Sequence, residues 1–177
     1  MSQRVAVAQK FAEKAHAGQV RKYTSEPYIV HPIAVSMLVQ IAGGTEDMIV
    51  AALLHDVVED CGVPLHTIDM NFGPHVMNLV YNLTNPVSAD NRATRHAAIV
   101  ARYAASSSEV ATIKLADIVD NVPSIIKHDP DFAKVYMAEK RLLIRHLKHG
   151  NKQLWTRANQ LVLDYFEGEK DAGNAGL

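Results

Sequence analysis

An all-α, single-domain fold is predicted from the helical spacing of the apolar residues, from the proline and glycine breaks between them, and from the lack of pairable strands. The chain has 177 residues, of which 48% are hydrophobic, and this is enough for one substantial core. Amphipathic stretches with a period of about 3.6 residues follow one another along the chain. We therefore expect a bundle of about seven to nine helices.

The first two predicted helices flank a polar loop. Apolar residues recur at helical spacing over residues 2–17, and a glycine ends that run. The polar segment that follows contains Arg21-Lys22 and is typical of a loop. Because proline is favoured at the first helical position, the second helix is expected to begin at Pro32, with His31 just outside its first turn.

The third predicted helix, from Thr45 to Cys61, is strongly apolar and yet contains ionisable groups. His55-Asp56 lies in its middle, and Glu59-Asp60 follows one turn later. Burying a polar group without a partner costs about 2–7 kcal/mol, and burying a charge costs more. Either His55 and Asp56 satisfy each other in the core, or a metal ion satisfies both.

The remaining helices are predicted from the same spacing. They are expected at residues 64–71, 74–83, 90–105, 109–121, 131–149 and 151–166, with a loop at 86–89 and Asp90 as a helix cap. Residues 109–121 are partly β-branched, but a lone strand would have no partner, so we expect a helix that Pro123 ends. Residues 1–167 then form one domain, and residues 168–177 a disordered tail.

Composition excludes several classes of protein. A formal net charge of −1 argues against a nucleic-acid-binding or membrane-adhering surface. The single cysteine, Cys61, excludes an intramolecular disulfide and fits a reducing compartment. Residues 1–10 lack the apolar core of a signal peptide, and no apolar run approaches the roughly 20 residues of a membrane span. We therefore expect a soluble, cytoplasmic protein.

Two further candidate metal ligands lie in apolar surroundings. His31 follows the apolar segment Pro27-Tyr28-Ile29-Val30. Asp117 follows Ile113-Lys114-Leu115-Ala116 on another largely apolar helix. Together with His55 and Asp56 they make a mixed nitrogen and oxygen donor set. Such a set suits manganese, iron, cobalt or zinc better than calcium or magnesium. Four candidate ligands in apolar contexts favour the metal site over the satisfied core pair.

These segments, in this order, resemble the HD-type hydrolase domain of the RelA/SpoT homologues, and in particular the stand-alone small alarmone hydrolases. The resemblance covers roughly the first 125 residues and is carried by Arg21-Lys22, Glu26–Pro32, Leu53–Asp60, Phe72-Gly73 and Lys114–Asp117. It implies an HD-domain helical bundle. It also implies an enzyme that removes pyrophosphate from the 3′ position of guanosine tetra- or pentaphosphate (ppGpp or pppGpp), giving GDP or GTP.

The resemblance implies a role for each matching residue. Four metal ligands, which usually hold manganese(II), are implied at His31, His55, Asp56 and Asp117. Two catalytic carboxylates, which orient water or protonate the leaving oxygen, are implied at Glu59 and Asp60. Contacts to the nucleotide alarmone are implied at Arg21, Lys22 and Asn121.

Three departures from the family pattern concern the substrate. The loop after Lys22 is one residue longer than the common form and lacks its glycine. Ile118 and Asp120 stand where the family usually has an arginine and a histidine or tyrosine. Residues 84–95 lack a lysine-rich form, although Arg92 and Arg95 remain as phosphate contacts or as solvent-exposed charges.

Compared with the family pattern, the chain has one cation fewer at Ile118 and one anion more at Asp120. This difference leaves two alternatives open. The substrate is then another nucleotide, such as a nucleoside monophosphate or NADPH, or the chain is a non-catalytic nucleotide sensor. The intact pair Glu59 and Asp60 argues against the sensor, since a binding module has no need of it.

Overall fold

The structure, a computed structural model, describes the backbone of residues 2–85 and 91–174 and the side chains up to residue 168 within these ranges. The expected loop at 86–89 and the expected cap Asp90 lie outside the described residues. Within the described ranges all regular structure is helical: α1 (Gln3–Ala15), α2 (Val30–Ile41), α3 (Glu46–Leu54), α4 (Val57–Cys61), α5 (Leu65–Phe72), α6 (Pro74–Leu83), α7 (Arg92–Ala104), α8 (Ser108–His128), α9 (Pro130–Arg145) and α10 (Lys152–Asn174).

The all-α fold class is confirmed, and the tenth helix comes from a break that the sequence did not predict. The helix expected over Thr45–Cys61 ends at Leu54 and restarts at Val57, so that His55 and Asp56 lie between α3 and α4. Nδ1 of His55 lies 2.8 Å from the carbonyl oxygen of Ala52. In a continuous helix that carbonyl would accept from the backbone N–H of Asp56, and the ring competes with this bond.

The second helix begins earlier than predicted, and this changes the position of His31. A turn closed by hydrogen bonds from the Val30 and His31 amides leads directly into α2, which begins at Val30. Pro32 is the third residue of α2, and its missing N–H costs nothing there, because the first four amides of a helix have no intrahelical partner. His31 therefore lies inside the first turn of α2, and the prediction that it lies outside was wrong.

Proline also failed to end the longest buried helix. α8 continues past Pro123 to His128, although the proline ring removes one backbone hydrogen bond. Val122 and Ile125, on either side of the proline, are buried in the core. Continuing the helix keeps these side chains out of water, and this offsets the lost bond.

The C-terminal helix is longer than predicted. Asn151 accepts hydrogen bonds from the amides of Gln153 and Leu154 and so precedes α10 as a cap. The backbone of α10 is helical through Asn174, well beyond the expected end at Phe166, and residues 175–177 lie outside the described residues. The division into a domain of residues 1–167 and a tail stays a prediction.

The core forms around α8, which packs against α2, α3, α6, α9 and α10. Gly150, in the turn before α10, allows a close approach to α8. A Cβ atom at this position would lie 2.9 Å from Cδ1 of Leu115 and 3.0 Å from the backbone nitrogen of Thr112. Asp117 lies on α8, His31 on α2 and His55 at the break between α3 and α4. The packing of these elements around α8 brings the three residues close together. No helix of the described residues is long and apolar enough to cross a membrane.

Candidate metal centre

Three of the predicted ligands meet at one point in the interior. One atom each of His31, His55 and Asp117 lies within 4.8 Å of the others, and all three residues are buried. The fourth predicted ligand borders this cluster, because Oδ2 of Asp56 lies 3.0 Å from Nε2 of His55 and 3.7 Å from Nε2 of His31. Residues from three separate segments thus direct two imidazoles and two carboxylates toward one another.

His55 has a nitrogen that the protein leaves without a hydrogen bond. Its Nδ1 donates to the carbonyl of Ala52, because a carbonyl can only accept. In the neutral ring Nε2 then carries a lone pair. This buried Nε2 has no hydrogen-bond partner among the described residues. A lone pair held against carboxylates in the interior needs a positive charge, and a metal ion supplies one.

His31 has the same arrangement on the other side of the cluster. Its Nδ1 lies 2.6 Å from Oδ2 of Asp120, a carboxylate that accepts the ring proton. Its Nε2 lies 3.3 Å from Oδ1 of Asp117. Donation through one ring nitrogen while the other binds metal is the usual arrangement of a metal-ligating histidine. Both rings are therefore oriented for a cation.

The two carboxylates are held by hydrogen bonds from neighbouring side chains. Asp117 accepts from Nζ of Lys114 at 2.7 Å on Oδ2 and from Nδ2 of Asn121 at 2.6 Å on Oδ1. Asp56 accepts from the hydroxyl of Tyr28 at 2.7 Å. Hydrogen bonds of this kind fix the orientation of ligating carboxylates. The donor set and its supports fit a divalent transition metal.

The pKa values show that the cluster favours positive charge. Burial alone would lower the pKa of His31, but hydrogen bonds to Asp117 and Asp120 raise it to about 9. Burial would raise the pKa of Asp56, but the charge of His55 lowers it to about 2. Burial likewise opposes ionisation of Asp117, yet the neighbouring ammonium of Lys114 holds its pKa well below the ordinary value. Protons on the imidazoles or a metal ion must balance these carboxylates.

The two predicted catalytic carboxylates follow on α4, at the exposed edge of the cluster. Glu59 accepts from the backbone N–H of Asn85 at 2.8 Å and from its side-chain amide at 3.3 Å. Burial raises the pKa of the Asp60 carboxyl, and the charges of Asp56 and Glu59 raise it further. Both residues are exposed to solvent.

The predicted substrate contacts Arg21, Lys22 and Asn121 line one cavity, and Asn121 joins it to the cluster through Asp117. Arg21 donates through Nη1 to Asp120 at 3.1 Å and through Nη2 to Asn121 at 3.4 Å. Nζ of Lys22 lies 3.1 Å from Oδ2 of Asp129. A cavity of about 290 Å³ lies beside them, and it is lined by Arg21, Lys22, Tyr23, Tyr28, Asn121, Ser124, Ile125 and Phe132. This cleft offers cations, an amide and aromatic rings to a ligand.

The structure shows the surroundings of the residues that depart from the family pattern. Ile118 is fully buried in the core. The carboxylate of Asp120 contacts both the guanidinium of Arg21 and the imidazole of His31. Arg92 donates to both carboxylate oxygens of Glu139, at 2.6 and 3.0 Å, whereas Arg95 is exposed. Because Arg92 is already paired with Glu139, we interpret it as part of a surface ion pair and not as a phosphate contact.

The sequence did not predict four residues that support or border the site, and it indicated Asp120 only as an anion near the substrate. The four are Tyr28, Asn85, Lys114 and Lys140. Lys114 and Asp120 lie three residues before and three after Asp117, so helical spacing alone places them near this ligand. The contact between Asn85 and Glu59 joins separate segments and has no local signal.

The chain is similar to several known proteins. The family model described as HD domain matches residues 8–144. Guanosine-3′,5′-bis(diphosphate) 3′-pyrophosphohydrolase MESH1 of Drosophila melanogaster is 35% identical over 124 residues, which are 68% of this chain and 69% of that protein. A probable guanosine-3′,5′-bis(diphosphate) 3′-pyrophosphohydrolase of Synechocystis is 37% identical over 126 residues, or 68% of this chain.

The length covered differs among the similar proteins. The chain covers only 16% of the Synechocystis protein and 22% of a similarly named protein of Aquifex aeolicus. A solved structure described as a metazoan ortholog of SpoT that hydrolyzes ppGpp matches with a TM-score of 0.85 at 26% identity. That match covers 93% of this chain and 97% of the other, so the two share one complete fold.

Proposed function

We propose that this chain, which belongs to the HD-domain family, is a metal-dependent phosphohydrolase that removes the 3′-pyrophosphate from guanosine tetra- or pentaphosphate. One observation carries the proposal. The Nε2 atoms of His31 and His55 face the same two carboxylates, next to Glu59-Asp60 and to a cleft that Arg21 and Lys22 line. The relatives named above for this reaction support the choice of substrate.

We assign His31, His55, Asp56 and Asp117 as the residues that hold the metal, and manganese(II) as the metal. Two imidazole nitrogens with two carboxylates suit manganese, although iron, cobalt and zinc accept similar donors. When bound, such an ion polarises a phosphoryl oxygen and makes water a stronger nucleophile at neutral pH. The hydrogen bonds of Tyr28 and Lys114 hold the two carboxylates in place for it.

Glu59 and Asp60 carry the protons of the reaction. The water oxygen forms a bond to the phosphorus next to the 3′ oxygen of the ribose, and the bond between that phosphorus and the 3′ oxygen breaks. One carboxylate takes the proton that the water loses, and the other, in its protonated form, gives a proton to the 3′ oxygen, so that GDP or GTP leaves with pyrophosphate. Positioned acid–base groups of this kind contribute about 10²–10⁴-fold to a rate. Their exposed position on α4 is open to substrate.

Arg21, Lys22 and Asn121 bind the nucleotide. The side chain of Lys22 is 71% exposed, so its ammonium can turn toward phosphate. Arg21 is only 14% exposed, and Asp120 and Asn121 hold its guanidinium at the mouth of the cleft. Guanidinium and ammonium groups suit a polyphosphate as bidentate and point-charge donors, respectively.

A second candidate keeps this chemistry and changes the nucleotide. Asp120 neutralises part of the charge of Arg21, which favours a less highly charged ligand such as a nucleoside monophosphate or NADPH. A non-catalytic sensor is disfavoured, since it would not need Glu59 held in place by two hydrogen bonds from Asn85.

A substrate panel tests the proposal. Protein loaded with manganese(II) is incubated separately with guanosine tetraphosphate, nucleoside monophosphates and NADPH, and pyrophosphate and phosphate are measured. Pyrophosphate from the alarmone alone supports the proposal. Phosphate from NADPH or a monophosphate supports the second candidate, and no product from any compound supports the sensor. Chelator-treated protein serves as the control and should release no product from any of them.

A further inference from the structure

We propose that Asp120 is a positioning residue that links the substrate-binding Arg21 to the metal-binding His31. A single oxygen, Oδ2, lies 2.6 Å from Nδ1 of His31 and 3.1 Å from Nη1 of Arg21. The three residues come from α8, α2 and the loop before α2. This inference rests on the proposed metal ligands and on Arg21 as a nucleotide contact.

The contact to His31 decides which ring nitrogen faces the cluster. A carboxylate accepts only, so Nδ1 of His31 carries the proton and Nε2 is left for the metal. The ring is 2% exposed, and its place at the start of α2 limits how far it can turn. Removing a carboxylate that orients a ligating histidine typically lowers metal affinity about 10–100-fold.

The contact to Arg21 lies on a second path to the same cluster. Nη2 of Arg21 donates to Oδ1 of Asn121, and Nδ2 of Asn121 donates to Oδ1 of Asp117. The guanidinium thus reaches one candidate ligand through Asp120 and another through Asn121. If nucleotide binding displaces Arg21, the change would reach His31 through Asp120 and Asp117 through Asn121.

The family pattern has no carboxylate at this position, where a histidine or tyrosine usually stands. A neutral side chain there would leave the proton of His31 with a weaker acceptor and would leave Arg21 without a charged partner. Asp120 supplies both contacts with one side chain that is 22% exposed. The anion therefore has a structural use beside a polyphosphate site.

The test is the affinity for cobalt(II), measured without substrate by the visible absorption of the bound metal. We expect Asp120→Asn to bind cobalt(II) about 10-fold more weakly than the parent chain, because an amide oxygen is a weaker acceptor from Nδ1. Asp120→Glu keeps the charge and should recover part of the affinity. Because no substrate is present, the result does not depend on which nucleotide the enzyme accepts.

Asp129→Asn is the matched control. Asp129 pairs with Lys22 and Tyr23, which belong to the same loop as Arg21. It is not one of the residues that hold a candidate metal ligand. Asparagine also preserves its capping bond from the Phe132 amide. This variant should bind cobalt(II) like the parent.

A second readout separates positioning from general damage to the fold. With saturating manganese(II), kcat of Asp120→Asn should return to within about threefold of the parent, while KM for the nucleotide stays raised, because Asp120 contacts Arg21 and no reacting atom. An unchanged cobalt(II) affinity in Asp120→Asn, or an equal loss in Asp129→Asn, would overturn the proposal. If Asp120→Asn does not fold, the same comparison is made with Asp120→Glu, whose affinity should fall between those of the parent and a histidine-ligand variant.

Discussion

Nε2 of His55 lies 3.0 Å from Oδ2 of Asp56, and yet these two atoms form no hydrogen bond. Because Nδ1 donates the ring proton to the Ala52 carbonyl, Nε2 of the neutral ring has a lone pair, and a carboxylate oxygen can only accept. Two groups that bind a common ion approach each other in this way, side by side. A core histidine that simply satisfied its neighbour would instead donate a proton from Nε2 to Asp56.

This relationship predicts that a divalent metal stabilises the protein. At a manganese(II) concentration of about 100 Kd, binding to the folded state alone contributes about 2.7 kcal/mol. For a chain of this length that corresponds to a rise in Tm of about 5–10 °C, measurable by calorimetry. His55→Gln should abolish most of this rise. A Tm of the parent chain that does not respond to manganese(II), cobalt(II) or zinc(II) would contradict the metal site.

Glu59→Gln should reduce turnover by about 10²–10⁴-fold, because it removes a proton-transfer group. The glutamine can still accept from the Asn85 amide, so the local structure and the metal affinity should be kept. The measurement is kcat alongside a cobalt(II) titration. Glu13→Gln, an exposed change on α1, is the control and should retain full turnover. Full activity in Glu59→Gln would remove Glu59 from the mechanism.

Lys140→Met should stabilise the protein at neutral pH. Burial and, to a lesser extent, the nearby charge of Lys114 together lower the pKa of the Lys140 ammonium from 10.5 to about 8. As the pH falls from 10.5 to 8, the unfolded chain binds a proton at Lys140 and the folded chain does not. The folded state therefore loses stability over this window, and the full cost persists below pH 8.

The expected gain for Lys140→Met is about 2 kcal/mol at pH 7, since a loss of the contact with the Tyr136 ring offsets part of the pKa effect. The gain should shrink toward zero near pH 10.5. Urea unfolding at pH 7 and at pH 10 measures it. Lys10→Met, exposed on α1, should change stability by less than about 0.5 kcal/mol. A gain of equal size at both pH values would show that the ammonium is not its cause.

Gly150→Ala should destabilise the fold by about 1–3 kcal/mol, because the added methyl group would collide with α8 at Leu115 and Thr112. Chemical denaturation gives the difference. The same substitution at Gly168 is the matched control, since a Cβ atom there meets nothing within 4 Å and the residue lies in α10. Gly168→Ala should stabilise by about 0.5–1 kcal/mol. Equal effects at the two glycines would show that close packing at residue 150 is not the cause.

The sequence predicted the helices well where local spacing decides them. Periodic apolar residues and glycine or proline breaks located α6 at its observed bounds and most other helices to within a few residues. It failed at Pro123 and at the break between α3 and α4. In the first case burial of Ile125 favours the continued helix, and in the second a side chain competes with the backbone.

The site shows the same division. The ligand types could be recognised from His55-Asp56, His31 and Asp117, because each lies in an apolar segment. Their supports could not all be recognised in this way. The contact of Asp120 with His31 spans 89 residues, and that with Arg21 spans 99, so only the folded chain brings them together.

The products formed from guanosine tetraphosphate test the proposed reaction most directly. Metal-loaded protein is given guanosine tetraphosphate, and the mixture is resolved by anion-exchange chromatography beside an identical reaction of His55→Gln. We predict GDP and pyrophosphate in equal amounts from the parent chain, and a loss of both in the variant. Unchanged guanosine tetraphosphate after incubation of the parent with manganese(II), or release of single phosphates in place of pyrophosphate, would contradict the account.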